Sequence, residues 1–173
     1  MKIIVTKKEG MTRIHKDNGL VCPVTILSAF ETKKVGDRTT DKDGYEAAIV
    51  EANGHKYELK GQDCDTTLED LENKDIFLEG TTKGKGFTGT IKRYGFSRGP
   101  MSHGSHNKRN PGAAGSAYPQ RVVKGQKMPG HVGNNKTTIK TTVEGVIKDK
   151  NYILVKGSVP GRRGSVVILK TVK

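Results

Sequence analysis

Short runs of β-branched and aromatic residues, alternating in part with polar ones, occupy both ends of this chain and thin out in its middle. Lys2–Thr6, Val21–Ala29, Tyr45–Ala52, His55–Lys60, Ile76–Leu78, Thr138–Ile147, Tyr152–Val155 and Val166–Thr171 have the length and composition of strands. Asn53-Gly54 lies between the third and fourth runs, and this dipeptide readily adopts the two positive φ angles of a tight hairpin. Asp149–Asn151 and Gly161–Gly164 read as turns between the last runs. Thr67–Asn73 has the pattern of a short helix, with Thr66 as its cap and Glu69 closing a capping box. Strands drawn from both ends predict a mainly β chain: a small β-barrel with one short helix. The barrel takes residues 1–80 and 137–173, and residues 81–136 form a long loop extension inserted between barrel strands.

The inserted stretch cannot build a core of its own. From Gly80 to Lys136 there are twelve Gly, four Pro and no Leu, and Leu, Ile, Val and Phe together supply six of 57 residues. That is well below the ~20 % at which chains begin to look disordered. Either the segment is disordered or something outside it supplies the order, and the favoured reading is a long extension that folds against RNA.

Charge sharpens this picture. The net charge of +13 is unevenly placed: residues 1–30 carry +3, residues 31–79 carry −7 and residues 144–173 carry +5. Gly80 to Val143 holds twelve basic side chains and no acidic one. A short basic run is usually a solvated face, but 64 residues without a carboxylate leave those charges without counter-ions. A polyanion would neutralise them. No apolar run approaches the roughly 18 residues that span a bilayer. The first residues read as strand, with no signal-peptide pattern. Cys22 and Cys64, with no CxxC spacing, suit a reducing interior better than a disulfide framework.

Candidate chemistry is sparse. Gly84-Lys85-Gly86-Phe87-Thr88-Gly89 formally matches GxGxxG. Dinucleotide binding would need a helix next and an acidic residue about 20 positions on. Lys92-Arg93-Tyr94-Gly95 begins no amphipathic helix, and no acid appears before Glu144. Gly80 to Lys85 falls one residue short of P-loop spacing, with Gly86 where Ser or Thr belongs. Close backbone approach to phosphates accounts for the glycines, with neighbouring cations neutralising charge. His103 and His106 lack Cys or carboxylate partners nearby, which argues against a metal site. Phe87, Tyr94, Phe96 and Tyr118 interleave with the basic residues; Phe87 and Phe96 either join a core or stack on bases. No catalytic constellation, cofactor or small-molecule substrate is expected.

The residues that carry this asymmetry also resemble a known family. Thr82-Lys83-Gly84-Lys85-Gly86-Phe87-Thr88-Gly89-Thr90-Ile91-Lys92-Arg93 closely resembles the diagnostic stretch of ribosomal large-subunit protein three. Gly10-Met11-Thr12-Arg13, His103-Gly104, Arg109-Asn110-Pro111-Gly112, Lys124 through Asn134 and Leu154 through Gly161 follow in the family's order. About Thr32 to Asp75 matches poorly, and Phe77 stands where the family has Asp or Asn. The loop tip, where bacterial relatives often carry a methylated glutamine, aligns with Tyr118, two residues before Gln120. The resemblance implies a surface barrel with a loop threading 23S-type rRNA toward the peptidyl transferase centre. It further implies early assembly, large-subunit proteins fourteen and nineteen as neighbours, and a bacterial-type ribosome in the cytoplasm or an organelle. The expected rRNA contacts are Lys83, Gly84, Lys85, Gly86, Gly89, Lys92, Arg93, Arg98, His103, Gly104, Lys108, Arg109, Gly112, Tyr118, Arg121, Lys124 and Lys127. The rival readings are a small enzyme with a glycine-rich phosphate loop and a free-standing nucleic-acid-binding barrel.

Overall fold

A computed structural model describes residues 3–60 and 71–171 of the chain. Six strands close into an antiparallel barrel: β1 (Ile3–His15), β2 (Val21–Ala29), β6 (Asp75–Thr81), β9 (Lys136–Ile147), β10 (Tyr152–Lys156) and β11 (Val166–Thr171). Around the ring the order is β1, β11, β6, β9, β10, β2, and β2 returns to β1. Between β2 and β6 lie β3 (Lys33–Arg38), the one-turn helix α1 (Thr40–Asp43), β4 (Ala47–Ala52) and β5 (His55–Leu59). Between β6 and β9 lie β7 (Phe87–Thr88), α2 (Thr90–Tyr94) and β8 (Gly130–His131). The chain divides into two compact units, residues 1–83 with 135–173, and residues 84–134.

Alternation along the strands fills the barrel. Ile4, Leu27, Ile76, Leu78, Val143, Ile153, Val155, Val167 and Leu169 share the main buried cluster, joined by Leu71 and Val159. A strand covered on one face reads as alternating, yet Ile3-Ile4-Val5 and Val166-Val167-Ile168-Leu169 are continuously apolar. The reason is a second layer. Ile3, Val5, Val166 and Ile168, on the opposite faces of β1 and β11, pack with Val50, Ala52 and Leu59 of β4 and β5.

That second layer corrects one expectation. Tyr45–Ala52 and His55–Lys60 read as barrel strands, but β3, β4 and β5 form a separate three-stranded sheet. Their apolar positions cover the wall and do not enter its interior. The hairpin at Asn53-Gly54 is present, with φ of +52° and +72° and Ala52 paired to His55. The helix expected at Thr67–Asn73 lies, up to Asp70, outside the described residues; Leu71 is in 3₁₀ conformation and Glu72–Asn73 in a turn.

The outward face of β6 carries charge that knits the wall. Glu79 is buried and pairs with Lys170 of β11 at 2.6 Å and with Lys136 of β9. Asp75 accepts from Lys140 Nζ at 2.8 Å and from Thr142 Oγ1 at 3.2 Å. The Lys140 partner, and then the Thr142 hydroxyl, hold the Asp75 carboxyl below its ordinary range. A carboxylate with a depressed folded pKa stabilises the fold above its unfolded pKa, and that contribution is lost as pH falls through the folded value. The effect is small, on the scale of an exposed ion pair. Thermal melts should show Asp75→Asn slightly less stable than the parent at neutral pH, with the gap closing on acidification. A gap of constant size would show that the pair contributes nothing through ionisation.

Candidate nucleic-acid interface

The base of the 84–134 unit is a narrow ladder. Phe87 pairs with His131 and Thr88 with Gly130, and the ladder is extended by Lys85 N–H donating to Val132 O at 2.8 Å. Val132 N–H returns a bond to Gly86 O at 3.1 Å. Gly86 sits at φ +66°, a left-handed conformation that glycine adopts without strain. An added Cβ there would meet nothing within 4 Å.

Directly after the GxGxxG motif the chain makes one helical turn, α2, which ends at Tyr94, so no amphipathic helix begins at Lys92. Gly89 occupies its N-cap, and Gly95 at φ +73° ends it by donating to Ile91 O. The five residues between two glycines give no room for the long helix a dinucleotide fold requires. Only Thr90 of the turn is buried, leaving Lys92 and Arg93 at the surface.

Arg93 is the organising side chain of this region. Its Nη1 donates to Met128 O at 2.8 Å, and its guanidinium lies 5.0 Å from the Tyr94 ring centroid. Lys127 Nζ lies 5.8 Å from the same centroid. Gly130 makes room for this arrangement, since a Cβ there would come within 2.7 Å of Arg93 Nη1. Tyr94 in turn packs against Phe96 at 6.2 Å. Phe87 meets His131 edge to face at 5.7 Å, yet remains 67 % exposed. Phe87 is therefore no core residue, whereas Phe96 is half-buried.

Farther out, Gly99 N–H donates to Lys108 O at 3.2 Å and closes a smaller loop. A Cβ at Gly99 would fall 1.8 Å from Asn107 O, so only glycine permits this approach. Within that loop His103 and Gly104 both take positive φ, +56° and +69°. From Met101 to Pro129 every residue except Ser105 is exposed. Gly112 turns at φ +85°, Tyr118 is 85 % exposed, and Gly125 turns beside Lys124 at φ +87°.

The expected contact residues thus fall into two groups. Lys85, Gly86, Gly89, Lys92, Arg93 and Lys127 lie on or beside the ordered base, and a Cβ added at Gly84 would lie 3.8 Å from that of Asn134. Arg98, His103, Gly104, Lys108, Arg109, Gly112, Tyr118, Arg121 and Lys124 are spread along the exposed stretch and its approach. Lys83 lies in the other unit, just past β6. None of the ten expected phosphate-binding cations forms an ion pair among the described residues. Sequence reasoning missed Gly99, Gly130 and His131, whose roles depend on neighbours across the loop. Among the described residues no cluster of three or more His, Cys, Asp or Glu could hold a metal ion. No described helix is long and apolar enough to cross a membrane.

Residues 47–143 match the family described as Ribosomal protein L3. The large ribosomal subunit protein uL3 of Streptococcus mutans is 38% identical over 200 residues, covering 98% of this chain and 96% of that protein. The uL3 of Heliobacterium modesticaldum is 38% identical over 205 residues, covering 99% and 98%. That of Borrelia garinii subsp. bavariensis is 40% identical over 204 residues, covering 98% of each. All three alignments are longer than this chain's 173 residues.

Proposed function

Because the chain belongs to the ribosomal protein L3 family, we propose that it is a structural constituent of the large subunit of a bacterial-type ribosome, working in the cytoplasm. Its work is to bind and brace 23S-type rRNA early in assembly, and it catalyses nothing. Residues 1–80 and 137–173 act as the anchoring barrel. Residues 81–136 thread the RNA toward the peptidyl transferase centre, with large-subunit proteins fourteen and nineteen as neighbours. The observation that carries this reading is the acid-free stretch, exposed almost throughout from Met101 to Pro129. A segment with its cations unpaired and no core of its own gains order when a polyanion supplies both charge and surface.

Gly86 provides the test. A Cβ at this position would meet no protein atom within 4 Å, so a clash of the added side chain with a bound partner is what the substitution probes. Asn tolerates φ near +60°, whereas Val adds backbone strain of about 1–2 kcal/mol. Gly86→Asn should leave the thermal melt unchanged while reducing co-sedimentation with large subunits in a lysate gradient, and Gly86→Val should reduce it further. The unaltered chain must itself co-sediment. A chain that stays at the top of the gradient would instead be a free-standing nucleic-acid-binding barrel. Binding of ATP or an NAD analogue at physiological salt would favour the enzyme reading.

A further inference from the structure

Residues 157–165, which join β10 to β11, form a turn fixed from several sides. Gly164 N–H donates to Lys8 O at 2.7 Å, and Lys8 N–H donates to Ser165 O at 2.9 Å. The buried Lys8 side chain reaches into the same turn, its Nζ donating to Val159 O at 2.6 Å and Gly161 O at 3.2 Å. Ser165 closes it internally, donating from N–H and Oγ to Arg162 O at 3.1 and 2.7 Å. Gly161, at φ +104°, packs so closely that a Cβ would lie 3.2 Å from Thr81 O at the end of β6. The turn therefore sits beside Lys83.

Arg162 and Arg163 stand exposed on this rigid frame. Neither they, Lys83 nor Lys8 has a carboxylate partner among the described residues. Burial, and then the nearby charge of Lys83, lowers the pKa of Lys8. Lys8 and Lys83 thus repel one another at this turn, Arg162 and Arg163 extend from it into solvent, and a polyanion would neutralise all four. Guanidinium groups match phosphate oxygens bidentately, and a turn already fixed pays little ordering entropy on binding.

We propose that the 157–165 turn, with Arg162, Arg163 and the adjacent Lys83, is a second and preformed phosphate-binding site, on the barrel, for the RNA backbone. It rests on the rRNA-binding reading above, which placed the contacts at residues 83–127. The test measures binding of the intact chain to large-subunit rRNA across a salt series. An Arg162→Gln/Arg163→Gln double variant is compared with a Lys33→Gln/Lys56→Gln control that removes equal charge from the separate sheet. The turn variant should flatten the log–log salt dependence by roughly one to two, since each phosphate contact contributes about 0.7–0.9. It should also weaken binding at least about tenfold at moderate salt, with a melt equal to or above the parent's. The control should change little. A turn variant indistinguishable from the parent, or matched by the control, overturns this site while leaving the rRNA reading intact. Failure of the parent itself to bind overturns both.

Discussion

Affinity of the intact chain for large-subunit rRNA is expected to fall by roughly 10³–10⁵ between about 50 and 200 mM salt, if about six to ten phosphates are neutralised. The calibration is for duplex DNA, and RNA geometry shifts the slope without removing it. The motive is the set of ten expected phosphate-binding cations with no ion pair among the described residues. A cation already held by a carboxylate would release fewer counter-ions on binding. Arg93 is the one whose guanidinium is partly engaged, by Met128 O and the Tyr94 ring, so Arg93→Gln should also loosen the base of the extension. Filter binding or fluorescence anisotropy across a salt series measures the slope directly. A nearly flat plot would mean that these side chains do not meet phosphates.

Leu78→Ala should destabilise the free protein by about 2–5 kcal/mol, the usual cost of emptying a well-packed core site. Leu78 is fully buried at the centre of β6, paired with Leu169 of β11 on one side and Ile139 of β9 on the other. The barrel cannot close over the gap without shifting both neighbours. Phe87→Ala removes a larger ring, but one mostly in solvent, and should stay within about 0.5 kcal/mol. Urea unfolding should show the first variant's midpoint falling with an unchanged slope, and the second's scarcely moving. Equal losses from the two substitutions would show that size alone, and not position in the barrel, sets the cost.

The mainly β character was readable because each barrel strand displays its buried side in the local pattern. Ile76 and Leu78 alternate with Asp75, Phe77 and Glu79, and the Asn53-Gly54 turn fixes its own hairpin. Pairing is another matter. Nothing local says that β4 and β5 lie over the barrel wall, because an apolar strand face looks the same whether it meets an interior or an exterior. β3 escaped notice because Lys33-Lys34-Val35-Gly36-Asp37-Arg38 has no buried residue; it is held by hydrogen bonds to β4, through an irregular register at Lys34/Gly36, and by Arg38 pairing with Asp43 and Glu58. The polar half of β1, from Lys7 to His15, is a strand because β2 pairs with it along its length. For the candidate interface, charge and glycine content were plain in one dimension. The need for Gly99 and Gly130 was not, since each makes room for an atom distant in sequence.

Thr81 of β6 and Lys136 of β9 are register partners, so the chain leaves the barrel and returns to it at adjacent rungs. From the barrel's side the whole excursion is a single loop. The entropy of closing a flexible loop rises only logarithmically with its length, about 0.6 kcal/mol for each doubling. Halving or doubling the excursion would therefore change barrel stability by about as little as one exposed surface substitution does. Such a scaffold leaves the length of its insertion free to follow the depth of whatever that insertion must reach.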